Sequence, residues 1–296
     1  MGEVMSSSAE GEGALAIICG AGSLPFAVAD AARGRGRRVV LFPLRGWADA
    51  NRLESYPHHW VRFGALGRFC RIAAREGCRD VVFIGSVVRP ALWQIWPDPA
   101  ALRVLPRIIA MFRGGDDHLM SSLMKIFEEC GFRPVGAHEI APEILMPEGT
   151  VGQLQPSEGN RIDMALGLAL LNAIGRFDVG QATVVADGHV LAVEAAEGTD
   201  EMLAQLAQLR RKGRIRSSGG VLVKAPKPGQ DRRIDLPTIG PRTIAGAAQA
   251  RLDGIAVVAG EAIIAEPERV AQAADQAGLF IVGTRQDRAR TEDGAN

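Results

Sequence analysis

The sequence predicts an α/β protein with an N-terminal Rossmann-like domain and a C-terminal α/β domain that are joined by a hinge. In the first half, short apolar runs that end in glycine alternate with helical patterns, which is typical of a parallel sheet with crossover helices. Prolines and glycines cluster over 141–160 and mark a domain boundary. In the second half, Asp187-Gly188 separates two apolar runs and predicts a β-hairpin, so this half is organised differently.

Length and composition set the broad class of protein. At 296 residues the chain has room for two domains of ordinary size, and its 47% of hydrophobic residues can fill their cores. Basic and acidic residues balance at 34 each, so the net charge gives no argument for nucleic-acid binding. The four cysteines have no CxxC spacing, which argues against a zinc cluster or a disulfide framework and indicates a reducing cytosol.

The sequence predicts no transmembrane segment. Its first 13 residues are small, polar and acidic, which indicates a disordered leader and not a signal peptide. No apolar run approaches the roughly 20 residues that a membrane span needs, so we expect a cytoplasmic protein whose contact with a membrane is at most peripheral. The predicted segments are a leader (1–13), an N-terminal domain (14–145), a linker (146–160), a C-terminal catalytic domain (161–285) and a tail (286–296).

The first domain begins with a strand, a glycine turn and a helix. The apolar run Ala14–Cys19 predicts the strand, and Pro25 opens the helix. Between them, Gly22, Ser23 and Leu24 offer backbone N–H groups to a ligand phosphate; the alternative is a tight turn without a ligand. The third glycine of a dinucleotide fingerprint is replaced by Pro25, and no acidic residue ends the next predicted strand, so we expect no NAD.

Two polar residues follow the clearest strand of this half. Strands are predicted over 61–64 and 80–85, with a helix over 66–76 between them. Ser86 and Arg89 come after the carboxyl end of the second of these strands, where open parallel sheets bind ligands, so we expect both near Gly22. The alternative for Arg89 is an exposed turn residue, because a proline follows it.

The end of the first half has two segments with open alternatives. The stretch from Trp93 to Phe112 is apolar with interleaved arginines, which suits acyl chains or a bilayer surface, although a pair of core helices is the simpler interpretation. Asp116 and Asp117 precede a helix predicted over 118–130, either as N-caps or as ligand contacts. A last strand is predicted over 133–139.

Carboxylates follow the hairpin of the second half. A helix over 162–176 precedes strands over 182–186 and 189–195. Glu194 and Glu197 lie at the end of the second strand, where two carboxylates suit a divalent cation. Thr199 is expected to cap a helix that runs to about 209, and capping is the alternative explanation of this polar cluster.

A charged loop from Lys224 to Gly240 follows a strand predicted over 221–223. Its three prolines exclude a continuous helix. The loop is either a solvated linker or a site for a phosphorylated ligand, with lysines on the phosphates and a carboxylate on a metal or a water. Beyond it the sequence predicts helices over 243–252 and 267–277, strands over 254–259 and 279–283, and a hairpin partner over 262–265.

Six motifs in order resemble the UDP-2,3-diacylglucosamine pyrophosphatase family of lipid A synthesis, in its alphaproteobacterial form. They extend over nearly the whole chain from Ala14 to Gly283, and their order makes the resemblance specific. The motifs are Gly20-Ala21-Gly22-Ser23-Leu24-Pro25, Gly85-Ser86-Val87-Val88-Arg89-Pro90, Gly115-Asp116-Asp117, Gly136-Ala137-His138-Glu139, Val193-Glu194-Ala195-Ala196-Glu197-Gly198-Thr199-Asp200, and Lys224-Ala225-Pro226-Lys227-Pro228 through Asp235-Leu236-Pro237-Thr238-Ile239-Gly240.

The resemblance implies a C-terminal domain of a fold particular to the family, with substrate between the two domains. It implies hydrolysis of UDP-2,3-diacylglucosamine to UMP and 2,3-diacylglucosamine 1-phosphate (lipid X), with Mg²⁺ and water attack on the α-phosphorus. Asp235 is implied as the catalytic aspartate, and we expect Glu194 and Glu197 to bind the metal with it. The expected substrate contacts are Gly22, Ser23, Leu24, Ser86, Arg89, Asp116, Asp117, Gln181, Thr199, Lys224 and Lys227.

We also expect a homodimer, no nucleic-acid partner, and peripheral contact with the inner membrane. Two other classes of protein stay open. A non-catalytic protein would bind a nucleotide-linked or lipid ligand between its two domains and respond by closing. A dehydrogenase would use the glycine turn, but the missing third glycine and acidic residue count against it.

Overall fold

The chain folds into two compact units. The computed structural model describes residues 13–50, 52–87, 98–99, 116–228, 230–233 and 236–285, with the side chains of 116–122 excepted. The first unit contains Met1–Glu143 and Asp231–Asp235, and the second contains Ile144–Gln230 and Leu236–Asn296. The predicted leader up to residue 12, nearly all of the apolar stretch from Trp93 to Phe112, and the predicted tail lie outside the described residues.

The first unit is built on a four-stranded parallel sheet. Its strands are β1 (Ala14–Cys19), β2 (Val39–Pro43), β3 (Cys78–Ile84) and β4 (Arg133–Pro134). Their order is β2-β1-β3-β4. All residues of β1 and β2 are buried, as expected for strands that are covered on both faces. The parallel sheet confirms the predicted α/β class for this half of the chain.

Aromatic side chains join the helices of the first unit to its sheet. The ring of Phe69 lies 4.6 Å from that of Phe42 in β2 and 5.2 Å from that of Phe127, both edge to face. Because aromatic pairs in this arrangement stabilise a core beyond the burial of their area, Phe69 is a central residue of the fold. The helices are α1 (Leu24–Gly34), α2 (Leu66–Arg75, which contains Phe69), α3 (Asp116–Glu129, which contains Phe127) and α4 (Ala137–Ile140).

One predicted strand of the first half is wrong, and another is much shorter than predicted. Over 61–64 only Val61 makes a bridge, to Leu44, and the positive φ of 87° at Gly64 ends the extended backbone. Over 133–139 the strand is limited to the two residues of β4. The chain then turns into α4, where Glu139 Oε1 accepts the N–H of Gly136 at 2.7 Å and caps the start of this helix.

The second unit is built on a six-stranded mixed sheet and a separate two-stranded sheet. The six strands of the larger sheet are β5 (Gly149–Val151), β6 (Ala182–Ala186), β7 (His189–Val193), β8 (Val221–Lys224), β10 (Gly254–Val258) and β12 (Phe280–Thr284). The smaller sheet contains β9 (Thr238–Ile239) and β11 (Ile263–Ile264). The sheet order is β5-β12-β10-β8-β6-β7. Its central strands β8, β10 and β12 are parallel, whereas β6 and β7 form the predicted antiparallel hairpin.

Helices cover both faces of the second sheet. They are α5 (Glu158–Ile174), α6 (Thr199–Arg211), α7 (Pro241–Gln249) and α8 (Pro267–Ala277). Leu203 of α6, Ile244 of α7 and Val270 of α8 belong to one buried cluster, and Leu171 of α5 belongs to another. None of the helices in the described part of the chain is long and apolar enough to cross a membrane.

The pairing of β11 differs from the prediction. The segment over 262–265 was expected to form a hairpin with the strand before it. In the structure β11 pairs in parallel with β9 instead, and the N–H of Ile263 donates to the carbonyl of Pro237 at 2.8 Å. The segment 146–160, expected as a linker, contains β5, which pairs antiparallel with β12.

A buried carboxylate holds together the amino-terminal edge of the first sheet. Asp80 in β3 is 3% exposed and accepts hydrogen bonds from Arg133 Nε at 2.7 Å and Nη2 at 2.8 Å. Arg37 forms an ion pair with the same carboxylate and also donates to the carbonyl of Gly13. Burial by itself would raise the pKa of Asp80, but the guanidinium groups of Arg133 and Arg37 hold that pKa below its usual value.

We expect Asp80→Asn to lower the free energy of unfolding of the first unit by about 3 kcal/mol, because the buried guanidinium of Arg37 then loses its ion pair with Asp80. The lowered pKa of Asp80 determines the pH dependence of this contribution. The stabilisation by the ionised Asp80 is present above about pH 4, and it is lost as the pH falls through the pKa of Asp80 in the folded protein. Urea unfolding followed by tryptophan fluorescence measures this, since all four tryptophans fall within Met1–Glu143.

Glu143→Gln is the matched control. It removes an ion pair with Arg35 in which the side chains are 51% and 55% exposed, so the free energy of unfolding should change by no more than about 0.5 kcal/mol. An unfolding midpoint of Asp80→Asn equal to that of the unsubstituted protein at pH 7 would contradict the stabilising role of this carboxylate.

Candidate functional site

Two loops meet at the carboxyl ends of β1 and β3. The N–H of Ala21 donates to the carbonyl of Ser86 at 2.8 Å, and the N–H of Ser86 donates back to Ala21 at 2.9 Å. Gly20 permits this approach, because a Cβ at its position would lie 2.6 Å from the carbonyl oxygen of Gly85. Ser86 therefore lies beside the glycine turn, as the sequence predicted.

The glycine turn presents an open position at the start of α1. Gly22 has a φ of 97°, which favours glycine, and no described atom lies within 4 Å of the place where its Cβ would be. Ser23 is the N-cap residue of α1 and Leu24 is the first residue of this helix. The positive end of the helix dipole lies at this turn, so it suits an anionic or strongly polar part of a ligand.

The other predicted contacts of the first half are Arg89, Asp116 and Asp117. Arg89 lies outside the described residues. Asp116 and Asp117 form the first turn of α3, so the helix begins two residues earlier than the sequence predicted. The placement of their side chains lies outside the described part of the chain.

A buried lysine and its hydrogen-bond partners link four segments of the second unit. Lys224 is the last residue of β8 and is 5% exposed. Its Nζ donates to Thr199 Oγ1 and to the carbonyl of Thr238, both at 3.0 Å. The hydroxyl of Thr199 in turn donates to Glu194 Oε1 at 2.7 Å. Lys224, Thr199, Thr238 and Glu194 form the Lys224 network.

The Lys224 network closes the neck of the charged loop from Lys224 to Gly240. Lys224 is the first residue of this loop and Thr238 lies near its last residue, so the hydrogen bond between them fixes both ends of the loop. Burial of an ammonium group is unfavourable unless its charge is compensated and its N–H groups find acceptors. The carboxylate of Glu194 compensates this charge through the hydroxyl of Thr199.

Glu194 also fixes the backbone of Gln181. Glu194 is 8% exposed, and its Oε2 accepts the N–H of Gln181 at 3.0 Å. The side-chain Oε1 of Gln181 is buried and finds no hydrogen-bond donor among the described residues. A buried carbonyl oxygen without a donor is unfavourable, so Gln181 suits a ligand that donates a hydrogen bond.

The predicted capping role of Thr199 is wrong. Gly198 is the N-cap residue of α6, and the helix begins at Thr199 itself. Gly198 takes that place with a φ of 81°, which a threonine would adopt only with strain. The hydroxyl of Thr199 is engaged with Lys224 and Glu194 instead, which places this residue in the candidate site.

Lys227 is engaged near the start of the loop. Its side chain is 11% exposed, and its Nζ forms an ion pair with Asp178. The N–H of Lys227 donates to Gln230 Oε1 at 3.0 Å, which holds the following turn. For Lys227 to contact a phosphate, as the sequence predicted, the phosphate has to take the place of the Asp178 carboxylate or share the ammonium with it.

The metal site predicted at Asp235, Glu194 and Glu197 stays a prediction. Asp235 lies outside the described residues. Within the described ranges, no group of three or more His, Cys, Asp or Glu side chains is placed to hold a metal ion. Both carboxylate oxygens of Glu194 accept hydrogen bonds, whereas Glu197 is exposed and accepts only a long bond, from the N–H of Ala195 at 3.3 Å.

No role was predicted for His138, which is influenced by the charge of Arg232 in the charged loop. Burial, and secondly the charge of Arg232, lowers the pKa of His138. Its Nδ1 is buried and has no hydrogen-bond partner in the described part of the chain. The only signal in the sequence was the motif Gly136-Ala137-His138-Glu139, which does not reveal that Arg232 approaches from far along the chain.

The described site residues favour an anionic ligand. A desolvated ammonium, an open helix amino terminus and a buried amide oxygen are suited to phosphate groups and to polar groups attached to them. The glycine turn belongs to the first unit and the Lys224 network to the second, and each is described by its own contacts.

Comparison with known proteins identifies the family. The family model described as the LpxI N-terminal domain matches residues 14–144, and the one described as the LpxI C-terminal domain matches residues 147–282. The chain is 42% identical over 271 residues to the UDP-2,3-diacylglucosamine pyrophosphatase LpxI of Caulobacter vibrioides, which covers 91% of this chain and 96% of the relative. The chain therefore belongs to the LpxI family.

Proposed function

We propose that this protein hydrolyses UDP-2,3-diacylglucosamine to UMP and 2,3-diacylglucosamine 1-phosphate in lipid A biosynthesis. The observation that carries the proposal is the buried ammonium of Lys224 at the neck of the loop that contains Asp235. The identity of 42% with the Caulobacter protein supports the choice of substrate, because that relative is named a UDP-2,3-diacylglucosamine pyrophosphatase.

Cleavage of a pyrophosphate concentrates negative charge on the leaving phosphate. In the proposed reaction a water oxygen bonds to the α-phosphorus, and the bond from that phosphorus to the bridging oxygen breaks. A fixed and desolvated positive charge stabilises this transition state more strongly than a solvated lysine does, because little reorganisation is needed. Lys224 meets this condition, since Thr199 and Thr238 fix its ammonium group.

We assign distinct roles to the carboxylates of the site. Mg²⁺, when bound, stabilises charge on the phosphate oxygens as a Lewis acid. Proteins hold this ion with one or two carboxylates together with substrate phosphates and waters, so Asp235 and the exposed Glu197 suit it. Glu194 suits it less, because its two oxygens already hold Thr199 and Gln181; its role is to position them. Asp235 also orients the attacking water.

The remaining substrate contacts follow from the position of each residue. The N–H groups of the glycine turn bind polar parts of the ligand, and Gln181 accepts a hydrogen bond from it. The homodimer and the peripheral contact with the inner membrane stay predictions, as does the cytoplasmic location. The proposed substrate contacts are Gly22, Ser23, Leu24, Ser86, Arg89, Asp116, Asp117, Gln181, Thr199, Lys224 and Lys227.

We expect Asp235→Asn to reduce UMP release by about 1000-fold or more, because the variant loses a metal ligand and the group that orients water. The fold should be preserved, since the two side chains have nearly the same shape. The measurement is UMP release from UDP-2,3-diacylglucosamine in detergent with Mg²⁺, with circular dichroism as the check on folding.

Asp187→Asn is the matched control for that substitution. Asp187 lies in the exposed turn between β6 and β7 with a φ of 53°, which asparagine also tolerates, so UMP release should be unchanged. Turnover of Asp235→Asn close to that of the unsubstituted protein would sink the catalytic assignment. Tight substrate binding by the unsubstituted protein without UMP release would favour a non-catalytic binding protein.

Removal of divalent cations should abolish UMP release, and added Mg²⁺ should restore it.

Isothermal titration with Mg²⁺ in the presence of UMP separates the roles of the two glutamates. We expect Glu197→Gln to weaken Mg²⁺ binding by roughly 10-fold or more, because an amide is a poorer ligand than a carboxylate. Glu194→Gln should mainly lower the melting temperature. The reverse pattern would show that Glu194 is the metal ligand.

Thr199→Val tests the Lys224 network without changing the size of the side chain. The substitution leaves Glu194 Oε1 without the Thr199 donor and Lys224 with one acceptor fewer, so kcat/KM should fall by roughly 10- to 100-fold. Thr199→Ser keeps the hydroxyl and should recover most of the activity. Equal activities of the two variants would mean that the hydroxyl of Thr199 has no part in the reaction.

A further inference from the structure

We propose that the exposed face of α5 is the surface at which a second copy of this chain binds, with the two α5 helices antiparallel. Of the eight large hydrophobic side chains that are exposed in the described part of the chain, four lie between 162 and 179. They are Ile162, Leu166, Phe177 and Val179. Single exposed apolar residues are normal on a protein surface, whereas a cluster of them marks an interaction site. This inference does not depend on the proposed reaction.

The apolar face is continuous along α5. Its members recur at spacings of three and four residues, so they lie on one side of the helix, and all of them are exposed. The members within the helix are Ile162, Leu166, Ala169 and Ala173. Ile162 is 59% exposed, which is far more than a leucine-sized side chain on the buried side of a helix would be. The face is therefore a surface of the folded second unit.

The other side of α5 is fixed to the sheet. Met164 and Leu171 belong to the buried cluster that also contains Val223 of β8. Gly167 allows a close approach of helix and sheet, because a Cβ at its position would lie 2.7 Å from Cγ2 of Val223. The core of the second unit thus uses one side of α5, and it does not require the residues on the exposed side to be apolar.

The sizes of the side chains on this face suit an antiparallel pairing of the helix with itself. The large Ile162 and Leu166 lie in the amino-terminal half of α5, and the small Ala169 and Ala173 lie in its carboxyl-terminal half. In a two-fold symmetric pair of antiparallel helices each contact occurs twice, and residues at equal distances from the axis face each other. With the axis beside Gly167, Leu166 packs on Ala169 of the partner subunit and Ile162 packs on its Ala173. Large side chains then fill the space left by small ones.

The charges at the two ends of the face favour the same orientation. Glu158 begins α5 and Arg176 follows its last residue by two, and both continue the spacing of the apolar face. Neither forms an ion pair among the described residues; the guanidinium of Arg176 lies 4.7 Å from the ring centre of Phe177. An antiparallel pair brings Glu158 to Arg176 of the partner subunit at both rims, whereas a parallel pair brings like charges together. The charge complementarity therefore identifies a second copy of the chain as the partner.

The experiment is sedimentation velocity of the full chain over a range of concentrations, which measures the dissociation constant of the dimer. We expect Leu166→Gln to raise this constant by roughly 100-fold or more, because two symmetric copies of a leucine contact are lost. Leu209→Gln in α6 is the matched control. Leu209 is 40% exposed and Leu166 is 37% exposed, but only Leu166 lies on the proposed interface, so the control should leave the constant unchanged. Circular dichroism checks that both variants fold.

An exchange of charges tests the orientation of the helices. Glu158→Arg and Arg176→Glu should each raise the dissociation constant by roughly 10-fold, because like charges then meet at both rims. The variant that carries both substitutions has opposite charges facing each other again, and it should recover most of the affinity. Recovery by a second substitution is not expected if the single variants merely fold less well.

Three results would overturn the proposal. The first is an unsubstituted protein that stays monomeric at all concentrations, including one that instead sediments with anionic lipid vesicles. The second is a Leu166→Gln variant that dimerises as tightly as Leu209→Gln. The third is a doubly charge-exchanged variant that dimerises no more tightly than the two single variants.

Discussion

The burial of the Lys224 ammonium is the interaction on which the candidate site depends. A lysine at the end of a central strand cannot reach water, so the surrounding chain has to supply acceptors and a counter-charge. Thr238 supplies a backbone carbonyl, Thr199 a hydroxyl, and Glu194 a carboxylate. These groups come from different elements. The need to compensate the charge of Lys224 therefore fixes the positions of the end of β7, the start of α6 and the last residues of the charged loop.

A second buried charge has a different consequence in the first unit. Asp80 and its two arginines lie near the amino ends of the parallel strands, whereas the glycine turn and Ser86 follow the carboxyl ends of β1 and β3. In open parallel sheets ligands bind at the carboxyl ends. The ion cluster thus stabilises the amino ends of the strands through charged groups that pair with one another. The carboxyl ends leave backbone groups of the glycine turn accessible to a ligand.

The success of sequence-based prediction follows the range of the interactions involved. The hairpin at Asp187-Gly188 and the strand Ala14–Cys19 were predicted correctly, because turn chemistry and an apolar run determine them locally. The strand over 61–64 and the hairpin partner over 262–265 were wrong. The first ends at Gly64, which has a positive φ. The second pairs with β9, from which it is separated in the sequence by a helix and a strand. A local pattern of apolar residues predicts neither of these features.

The candidate site shows the same division. Thr199 was recognised as polar and close to Glu194, but a capping rule, which is local, assigned its hydroxyl to the helix. The actual partner is Lys224, which approaches from another strand. Residue types were therefore predictable from the sequence, whereas their partners required the fold.

The two glycines of the glycine turn differ in what their surroundings explain. Sequence alone left open whether Gly20 to Leu24 binds a ligand or is a tight turn. Gly20 needs no ligand to explain it, because any Cβ there would collide with the backbone of Gly85. Gly22 is different. It has a positive φ, but no described atom lies within 4 Å of the place where its Cβ would be, so packing does not require a glycine there. The φ of 97° at Gly22 favours glycine by itself, and the open position beside it is where the proposed function places the polar part of the substrate.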